Sequence, residues 1–339
     1  MPDQPARIVL ATRPEGKASL ANFRLEPMAM PEKPVGGLLL RTLVLSLDPY
    51  MRGRMDDRPS YAKPVAVGDT MEGESLAEVI SSDDPAFMPG DIVRARTGWR
   101  THAAFQPQDV KRVRVGDAPL TTALGVLGMP GFTAYSGLHV LGKPKPGETV
   151  VVAAASGPVG SLVGQLARRA GCRAVGIVGG PDKCRFVQDE LGFDAAVDHR
   201  DPDLPRRLAA ACPDGIDVYF ENVGGIVWQA VLPLLNRFAR VPVCGLIAQY
   251  DGTPTEAPGA LQATMRAILT KSLTLRGFIN YEFEADHYDA FIAAVAPGVA
   301  DGSIRHREDV TEGLENAPAA FLSMLEGRNF GKTLVRLAR

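Results

Sequence analysis

The stretch that decides the fold is TVVVAAA at residues 149–155, which leads directly into SGPVGSLVG at residues 156–164. A continuous apolar run of this length is typical of a strand buried on both faces, as in a parallel sheet. Apolar residues then recur with the spacing of one helix face; they are Val159, Leu162, Val163, Leu166, Ala167 and Ala170. The pattern therefore predicts a buried strand, a tight turn and an amphipathic helix, in that order.

The turn has the spacing Ala155-x-Gly157-x-x-Gly160, a relaxed form of the dinucleotide-binding fingerprint. Gly157 has no Cβ, so backbone can approach a pyrophosphate there, and Gly160 lets the helix pack close to the strand. The helix N-terminus would face the diphosphate with N–H groups and a positive dipole end. A purely structural role for turn glycines is the alternative, but the flanking strand and helix favour a dinucleotide site. We therefore expect cofactor contacts from Ser156, Gly157, Val159 and Gly160.

Residues 126–302 alternate strands with helices, which predicts a doubly wound parallel Rossmann sheet and a dinucleotide-binding domain. The expected strands are Thr149–Ala155, Ala174–Val178, Ala195–Asp198, Ile216–Asn222, Phe238–Gly245 and Leu273–Ile279. The expected helices are Val159–Ala170, Asp182–Leu191, Asp203–Cys212 and Ile226–Leu235.

Residues 1–125 and 303–339 are predicted to form a second, β-rich catalytic domain. Short alternating segments between Gly and Pro turns predict a partly closed, barrel-like sheet there. The expected strands are Gly37–Leu47, Ser75–Ile80, Ile92–Ala95, Trp99–Phe105 and, from the C-terminus, Gly331–Leu337.

The composition is that of an ordinary globular enzyme, with 45% hydrophobic and 22% charged residues. A net charge of −2 and the absence of a Lys/Arg tract argue against nucleic acid as a partner. No secretory signal pattern and no apolar run of roughly 20 residues occur, so we expect a cytoplasmic protein without a membrane partner. The four cysteines are isolated, with no C-x-x-C pair to hold a structural zinc.

The end of the second strand bears on the choice of coenzyme. NAD-specific folds place an acidic residue there to bind the ribose hydroxyls, whereas Gly179 and Gly180 stand here. Lys183 follows closely and would suit a 2′-phosphate, although a solvated lysine is the simpler interpretation. Asp182 is the residue that argues for NAD. We favour NADP(H), bound through Gly179 and Lys183.

Six segments spread over nearly the whole chain resemble one family, the zinc-independent medium-chain dehydrogenases/reductases. Within it the sequence looks most like the prostaglandin reductase/leukotriene hydroxydehydrogenase group, which includes plant alkenal double-bond reductases. The segments are LDPYMR (residues 47–52), GMPGFTAY (128–135), AASGPVG (154–160), FENVGG (220–225), CGLI (244–247) and GRNFGKT (327–333).

The resemblance also implies that no metal is used. The Gly-His-Glu segment of the zinc-dependent relatives, whose His is a ligand, aligns with Gly73-Glu74-Ser75. None of the five histidines is paired with cysteine or carboxylate at ligand spacing. Reducing a carbonyl would lose its usual Lewis acid, whereas reducing a conjugated carbon–carbon double bond needs only hydrogen-bond donors for an enolate oxygen.

The resemblance assigns two candidate catalytic residues. Tyr250 matches a tyrosine near the cofactor and the substrate oxygen, and Tyr50 resembles a substrate-side tyrosine. Either could instead be a packed aromatic residue whose hydroxyl needs a partner. Loops Asp56–Lys63 and Tyr250–Ala260 are expected to shape the substrate pocket, and the sequence does not identify the substrate.

The resemblance further implies cofactor contacts outside the glycine turn. Asn222 is expected near the nicotinamide ribose, with a turn residue as the equal alternative. His199 and Lys183 match positions around the 2′-phosphate, although the family typically has Tyr where His199 stands. The remaining expected contacts are Met129, Gly131 and Thr133 in the linker, Cys244 after a strand, Phe278 in the pocket wall, and Asn329 and Gly331 in a C-terminal loop. Phe278 and Cys244 each have a competing interpretation as buried core residues.

Taken together, the sequence predicts an NADPH-dependent reductase of α,β-unsaturated aldehydes and ketones. A zinc-independent quinone reductase and a catalytically silent NADPH-binding regulatory protein are the alternatives. The expected partners are a small enone or enal and, from the resemblance, a second copy of the chain. The apolar strand Leu273–Ile279 would be covered at such a dimer edge.

Overall fold

The computed structural model describes residues 4–252 and 258–337, so residues 253–257 of the Tyr250–Ala260 loop lie outside the described residues. The chain divides into two compact units. Unit 1 takes the chain up to Val115, Pro119–Leu124 and the chain from Glu308, and unit 2 takes Gly116–Ala118 and Gly125–Arg307.

In chain order, unit 1 begins with seven strands and one short helix: β1 Ala6–Leu10, β2 Phe23–Pro27, β3 Leu38–Ser46, α1 Tyr50–Arg54, β4 Ser75–Ser82, β5 Ile92–Ala95, β6 His102–Phe105 and β7 Val110–Arg112. Unit 2 follows with α2 Met129–Tyr135, β8 Thr149–Ala153, α3 Pro158–Arg169, β9 Arg173–Val178, α4 Pro181–Arg185, β10 Ala195–Asp198, α5 Leu204–Ala211, β11 Ile216–Phe220, α6 Gly225–Val231, β12 Leu235–Val243, α7 Ala260–Lys271, β13 Thr274–Gly277 and α8 Glu284–Ala300. The chain then returns to unit 1 with β14 Glu308–Glu312, α9 Ala317–Leu325 and β15 Lys332–Arg336.

Unit 2 contains a six-stranded sheet in the order β10-β9-β8-β11-β12-β13, and every neighbouring pair is parallel. All five residues of β8 are buried, as a central strand covered on both faces requires. Helix α3 packs close to this strand because Gly160 has no side chain: a Cβ there would lie 2.5 Å from the Ala154 carbonyl oxygen. The predicted doubly wound parallel sheet is confirmed.

Unit 1 is β-rich, as predicted. Its main sheet runs β14-β15-β3-β4-β5-β7, with β6 also pairing with β3, and β1 and β2 form a separate antiparallel pair. The C-terminal strand β15 is antiparallel to β3, with Leu334 opposite Ser46. The described strands end in an open order, with β14 and β7 at the two edges, so they do not close into a barrel. Trp99 lies at the centre of the core, stacked 5.6 Å from Phe23 and edge-on 5.5 Å from Phe321.

Several predicted boundaries were wrong, for local reasons. The strand predicted to Ala155 ends at Ala153 because Ala154 adopts a left-handed conformation, with φ of 54°. The helix predicted over Ile226–Leu235 ends at Val231, and a 3₁₀ turn containing Pro233 follows, since proline lacks the N–H that would continue it. The predicted helix Asp182–Leu191 is α4 followed by a π turn.

Other differences concern elements that the sequence did not reveal. The strand predicted from Trp99 begins only at His102. Helices α7 and α8 were not predicted, and α7 carries apolar side chains on an exposed face. No helix in the described parts of the chain has the length and apolar character needed to cross a bilayer.

Candidate functional site

The glycine turn after β8 leaves an open helix N-terminus. The Gly157 N–H donates to the Ala154 carbonyl at 3.0 Å, which closes the turn, and Gly157 is the residue before α3. A Cβ on Gly157 would meet only that carbonyl, at 3.3 Å, with no other atom within 4 Å. Ser156 is buried and Val159 half-buried beside it. Space, unpaired first-turn N–H groups and the helix dipole together fit a diphosphate.

The end of β9 lies against two basic side chains from the end of β10. A Cβ built on Gly179 would stand 2.8 Å from His199 Nε2 and 3.1 Å from Arg200 Nε. Gly180 continues the turn with φ of 97°. A Cβ at Gly179 would clash with the His199 ring, so glycine at this position lets both basic side chains lie against the strand end. This cradle suits an anionic group such as a 2′-phosphate.

The acidic residue that argued for NAD points elsewhere. Asp182 pairs with Arg185 one turn along α4, and its side chain is 80% exposed. Burial lowers the pKa of His199, and the charges of Arg200 and Lys183 lower it further. Lys183 is on α4, which follows the Gly179–Gly180 turn directly.

Asp198 ties the two strand ends together. Its carboxylate accepts backbone N–H groups from Gly180 and Arg200, and although burial raises its pKa, these bonds hold that pKa below the usual range. A cavity of about 480 Å³ opens beside this junction. His199, Arg200, Ile226 and Gln229 contribute to its lining. A planar base could lie there next to the basic cradle.

Asn222 follows β11 and joins two strand ends. Its side-chain nitrogen donates to the Ala153 carbonyl at the end of β8, at 2.8 Å. Glu221 stabilises this turn through three hydrogen bonds to its Oε1. That oxygen accepts the N–H groups of Val223 (2.7 Å) and Gly224 (2.9 Å) and the hydroxyl of Tyr219 (2.9 Å). Burial raises the pKa of Glu221, which those backbone bonds oppose. Asn222 thus has a structural hydrogen bond at the position where a cofactor contact was predicted.

Tyr250 lies beside the same strand ends. A Cβ on Gly245 would be 3.4 Å from the Tyr250 hydroxyl and 3.5 Å from the Asn222 carbonyl oxygen. The short 3₁₀ turn Ile247–Gln249 leads the chain back so that the ring reaches this place. Cys244 is only half-buried, against the expectation of a fully buried residue, and burial raises the pKa of its thiol to about 12.

The residues predicted to contact the cofactor from α2 and from the end of β13 pack against other residues of unit 2. Thr133 is buried, and its hydroxyl donates to the Met129 carbonyl at 2.8 Å. A Cβ on Gly131 would overlap the Val126 carbonyl, so its role is close packing. Phe278 is 6% exposed and lies 6.2 Å, centroid to centroid, edge-on to Phe220. Phe278 is therefore mostly a core residue.

Tyr50 is in unit 1, where it begins α1. Its ring is half-buried, with the Arg54 guanidinium 5.6 Å from the ring centroid. Burial, followed by the charges of Asp48 and Glu72, raises the pKa of the hydroxyl far above its usual range. Tyr50 therefore stays protonated and can donate a hydrogen bond at any physiological pH.

The C-terminal loop before β15 is also in unit 1. Asn329 donates through its side chain to the Gly331 carbonyl at 2.9 Å, and Gly331 has φ of 90°. The Phe330 N–H donates to the Asp309 carboxylate at 3.1 Å. These bonds order the loop by itself, before any ligand contact.

The segment aligned with the metal ligands of zinc-dependent relatives contains an ion pair. Glu74 Oε1 lies 3.1 Å from Arg94 Nε, and burial raises the pKa of Glu74 against the influence of that cation. Among residues 4–252 and 258–337, no group of three or more His, Cys, Asp or Glu side chains is arranged to hold a metal ion.

The structure thus brings the predicted residues of unit 2 into two groups. The glycine turn, Asn222 and Tyr250 lie at the ends of β8, β11 and β12, whereas Gly179, Lys183 and His199 lie at the ends of β9 and β10. Sequence reasoning missed Arg200, although its place directly after His199 was a usable signal. It also missed the role of Glu221, for which the sequence carries no signal beyond its place before Asn222.

Two family models match the chain: "N-terminal domain of oxidoreductase" over residues 6–113 and "Zinc-binding dehydrogenase" over residues 158–296. An NADPH-dependent curcumin reductase of Escherichia coli (strain K12) is 48% identical over 98% of this chain and 96% of its own. An NADP(+)-dependent 2-alkenal reductase of Nicotiana tabacum is 40% identical over 89% of this chain and 88% of its own.

Among solved structures, CurA of Vibrio vulnificus in complex with NADPH has a TM-score of 0.94 and 46% identity, and the match covers 98% of this chain and 99% of that one. Likeness of this extent, end to end and in both sequence and fold, shows the family. The chain belongs to the zinc-independent group of the medium-chain dehydrogenases/reductases, with the curcumin, prostaglandin and 2-alkenal reductases.

Proposed function

We propose that this NADP-dependent oxidoreductase reduces the carbon–carbon double bond of α,β-unsaturated aldehydes and ketones. Relatives named as curcumin and 2-alkenal reductases support reduction of conjugated enones and enals. The observation that carries the proposal is the Tyr250 hydroxyl, set beside Gly245 and the Asn222 carbonyl at the carboxyl ends of β11 and β12. In parallel α/β sheets, ligands bind at that edge.

The residues around the glycine turn and the β9 end fit NADPH. The N–H groups at the start of α3, with Gly157, would hold the diphosphate. Lys183, His199 and Arg200 would hold the 2′-phosphate, and the cavity beside them would take the adenine. The basic cradle at Gly179 replaces the carboxylate that an NAD-specific site places there.

When bound, NADPH supplies a hydride to the β-carbon of the substrate. Negative charge then develops on the carbonyl oxygen as an enolate, and donors aimed at that oxygen lower the barrier. The proposed donor is Tyr250 or Tyr50, as the sequence resemblance implies. The high pKa of Tyr50 favours donation of a hydrogen bond over transfer of its proton. The α-carbon would then take a proton from water.

A substrate panel tests the reaction. NADPH oxidation is followed with alkenals, alkenones, their saturated analogues and quinones, and the products are identified by mass spectrometry. We expect saturated aldehydes and ketones from the conjugated substrates and no turnover of the saturated analogues. Preferential turnover of quinones would assign the chain to quinone reduction instead, and inactivity with every class would leave a binding protein.

We also propose that two copies of the chain associate through one edge of the unit 2 sheet. Strand β13 is the outermost strand there, and its residues are mostly exposed. The preceding helix α7 exposes Leu261 (70%), Met265 (57%) and Leu269 (81%) at four-residue spacing, which makes an apolar stripe. Covering the stripe and the strand edge together accounts for both features.

A further inference from the structure

A buried ion pair in unit 1 joins two motifs far apart in the sequence. Lys332 of β15 is 2% exposed and Asp48, after β3, is 4% exposed. Lys332 Nζ donates to Asp48 Oδ1 at 2.8 Å and to the Leu47 carbonyl at 2.6 Å. The other carboxylate oxygen accepts the Ser46 hydroxyl at 2.5 Å. The proposed function gives neither charged residue a role.

Asp48 also fixes the start of α1. Its backbone carbonyl accepts the Met51 N–H at 3.1 Å, so Tyr50 lies inside the turn that Asp48 opens. The Lys332 ammonium holds both the carbonyl before this turn and the side chain at its first residue. The ion pair therefore sets the place at which Tyr50 leaves the sheet.

Each carboxylate near Tyr50 is paired with a cation. Asp48, Glu72 and Glu74 all act on the Tyr50 hydroxyl. Each carboxylate has its own cation: Asp48–Lys332 at 2.8 Å, Glu72–Arg54 at 2.8 Å and Glu74–Arg94 at 3.1 Å. The Asp48–Lys332 pair also holds the backbone carbonyl of Leu47, directly before the turn that carries Tyr50.

Stability alone is a poor explanation for such a pair. Desolvation of two buried charges offsets most of their attraction, and replacing both by neutral groups of similar size is often close to neutral. Geometry is a better one, because a displacement of about 1 Å at a reacting group can lower a rate on the order of 100-fold.

We propose that Asp48 and Lys332 are positioning residues, which hold the Tyr50 hydroxyl where the substrate oxygen binds. The proposal rests on the proposed function in so far as Tyr50 is a substrate donor. Neither charged group acts on the substrate; each acts through the turn that begins at Asp48.

The test uses the paired substitution Asp48→Asn with Lys332→Met. A single substitution would leave the other charge buried without its partner and could prevent folding, whereas the pair removes both charges. The matched control is Glu312→Gln with Arg336→Met, which removes an exposed ion pair between β14 and the same strand β15. We expect kcat/KM for an enone to fall roughly 10- to 100-fold in the first variant, with NADPH affinity within about twofold. The control variant should match the wild type.

Combination with Tyr50→Phe separates positioning from general damage. If the pair acts through the hydroxyl, the triple variant should be no slower than Tyr50→Phe alone, since coupled sites are not additive. Losses that multiply, or a wild-type rate in the paired variant, would overturn the proposal.

A crystal structure of the paired variant gives a readout that does not depend on the substrate. We expect the Tyr50 ring to be displaced there and unchanged in the control variant. A Tyr50 ring in its original place would overturn the positioning role even if enone reduction were established. If the wild type reduces no enone and the paired variant still displaces the Tyr50 ring, the proposed function is refuted and the positioning of Tyr50 by the ion pair is retained.

Discussion

Removing single cations around Gly179 should change the choice of coenzyme. Lys183 is half-buried on α4 and acts on His199, while Arg200 is exposed and its Nε lies 3.1 Å from the Cβ position of Gly179. Substitution of either residue by alanine would remove the charge-assisted hydrogen bond that we propose to the 2′-phosphate. Such a bond contributes about 1.5–3 kcal/mol, or roughly 10- to 150-fold in Kd. Because solvent screens exposed charges, Arg200→Ala should lie at the lower end of that range.

The assay is a calorimetric titration of each variant with NADPH and with NADH. NADH lacks the 2′-phosphate, so its affinity should change little in either variant. Arg168→Ala is the matched control, because it removes a partly exposed cation from the C-terminal end of α3, where its carboxylate partner is Asp194. Its Kd for NADPH should stay within about twofold of the wild type. An equal loss of affinity for NADPH and NADH in Lys183→Ala would show that Lys183 does not bind the 2′-phosphate.

Three further predictions concern catalysis, metal and assembly. Tyr250→Phe should lower kcat roughly 10²–10³-fold by removing one enolate donor. Melting temperature and NADPH affinity should change little. A kcat within a factor of about three of the wild type, a difference under 1 kcal/mol, would assign the donor role to Tyr50 or to solvent instead. Dialysis against a strong chelator should leave activity and melting temperature unchanged, and stoichiometric zinc in the purified protein would contradict this. Leu269→Glu places a charge in the apolar stripe of α7 and should therefore convert the dimer into monomers in sedimentation experiments. A wild type that is monomeric at micromolar concentration would exclude the proposed pairing.

The sequence by itself determined the strand–turn–helix unit at residues 149–164 and the class of fold. Both depend on short-range information, because an apolar run, a helical period and turn glycines act over a few residues. Strands β5 and β10 were predicted with their observed bounds for the same reason. The sequence did not reveal where β8 ends, because alanine gives no warning of the left-handed conformation of Ala154.

Only the tertiary structure decided which side chains share a site. Arg200 meets Gly179 because β9 and β10 lie side by side in the sheet, and Asp182 pairs with Arg185 on α4. Lys332 reaches Asp48 across 284 residues of sequence because β15 pairs with β3. Local patterns fix backbone conformation, whereas the pairing of distant strands fixes which charges meet, and no short-range pattern encodes that pairing.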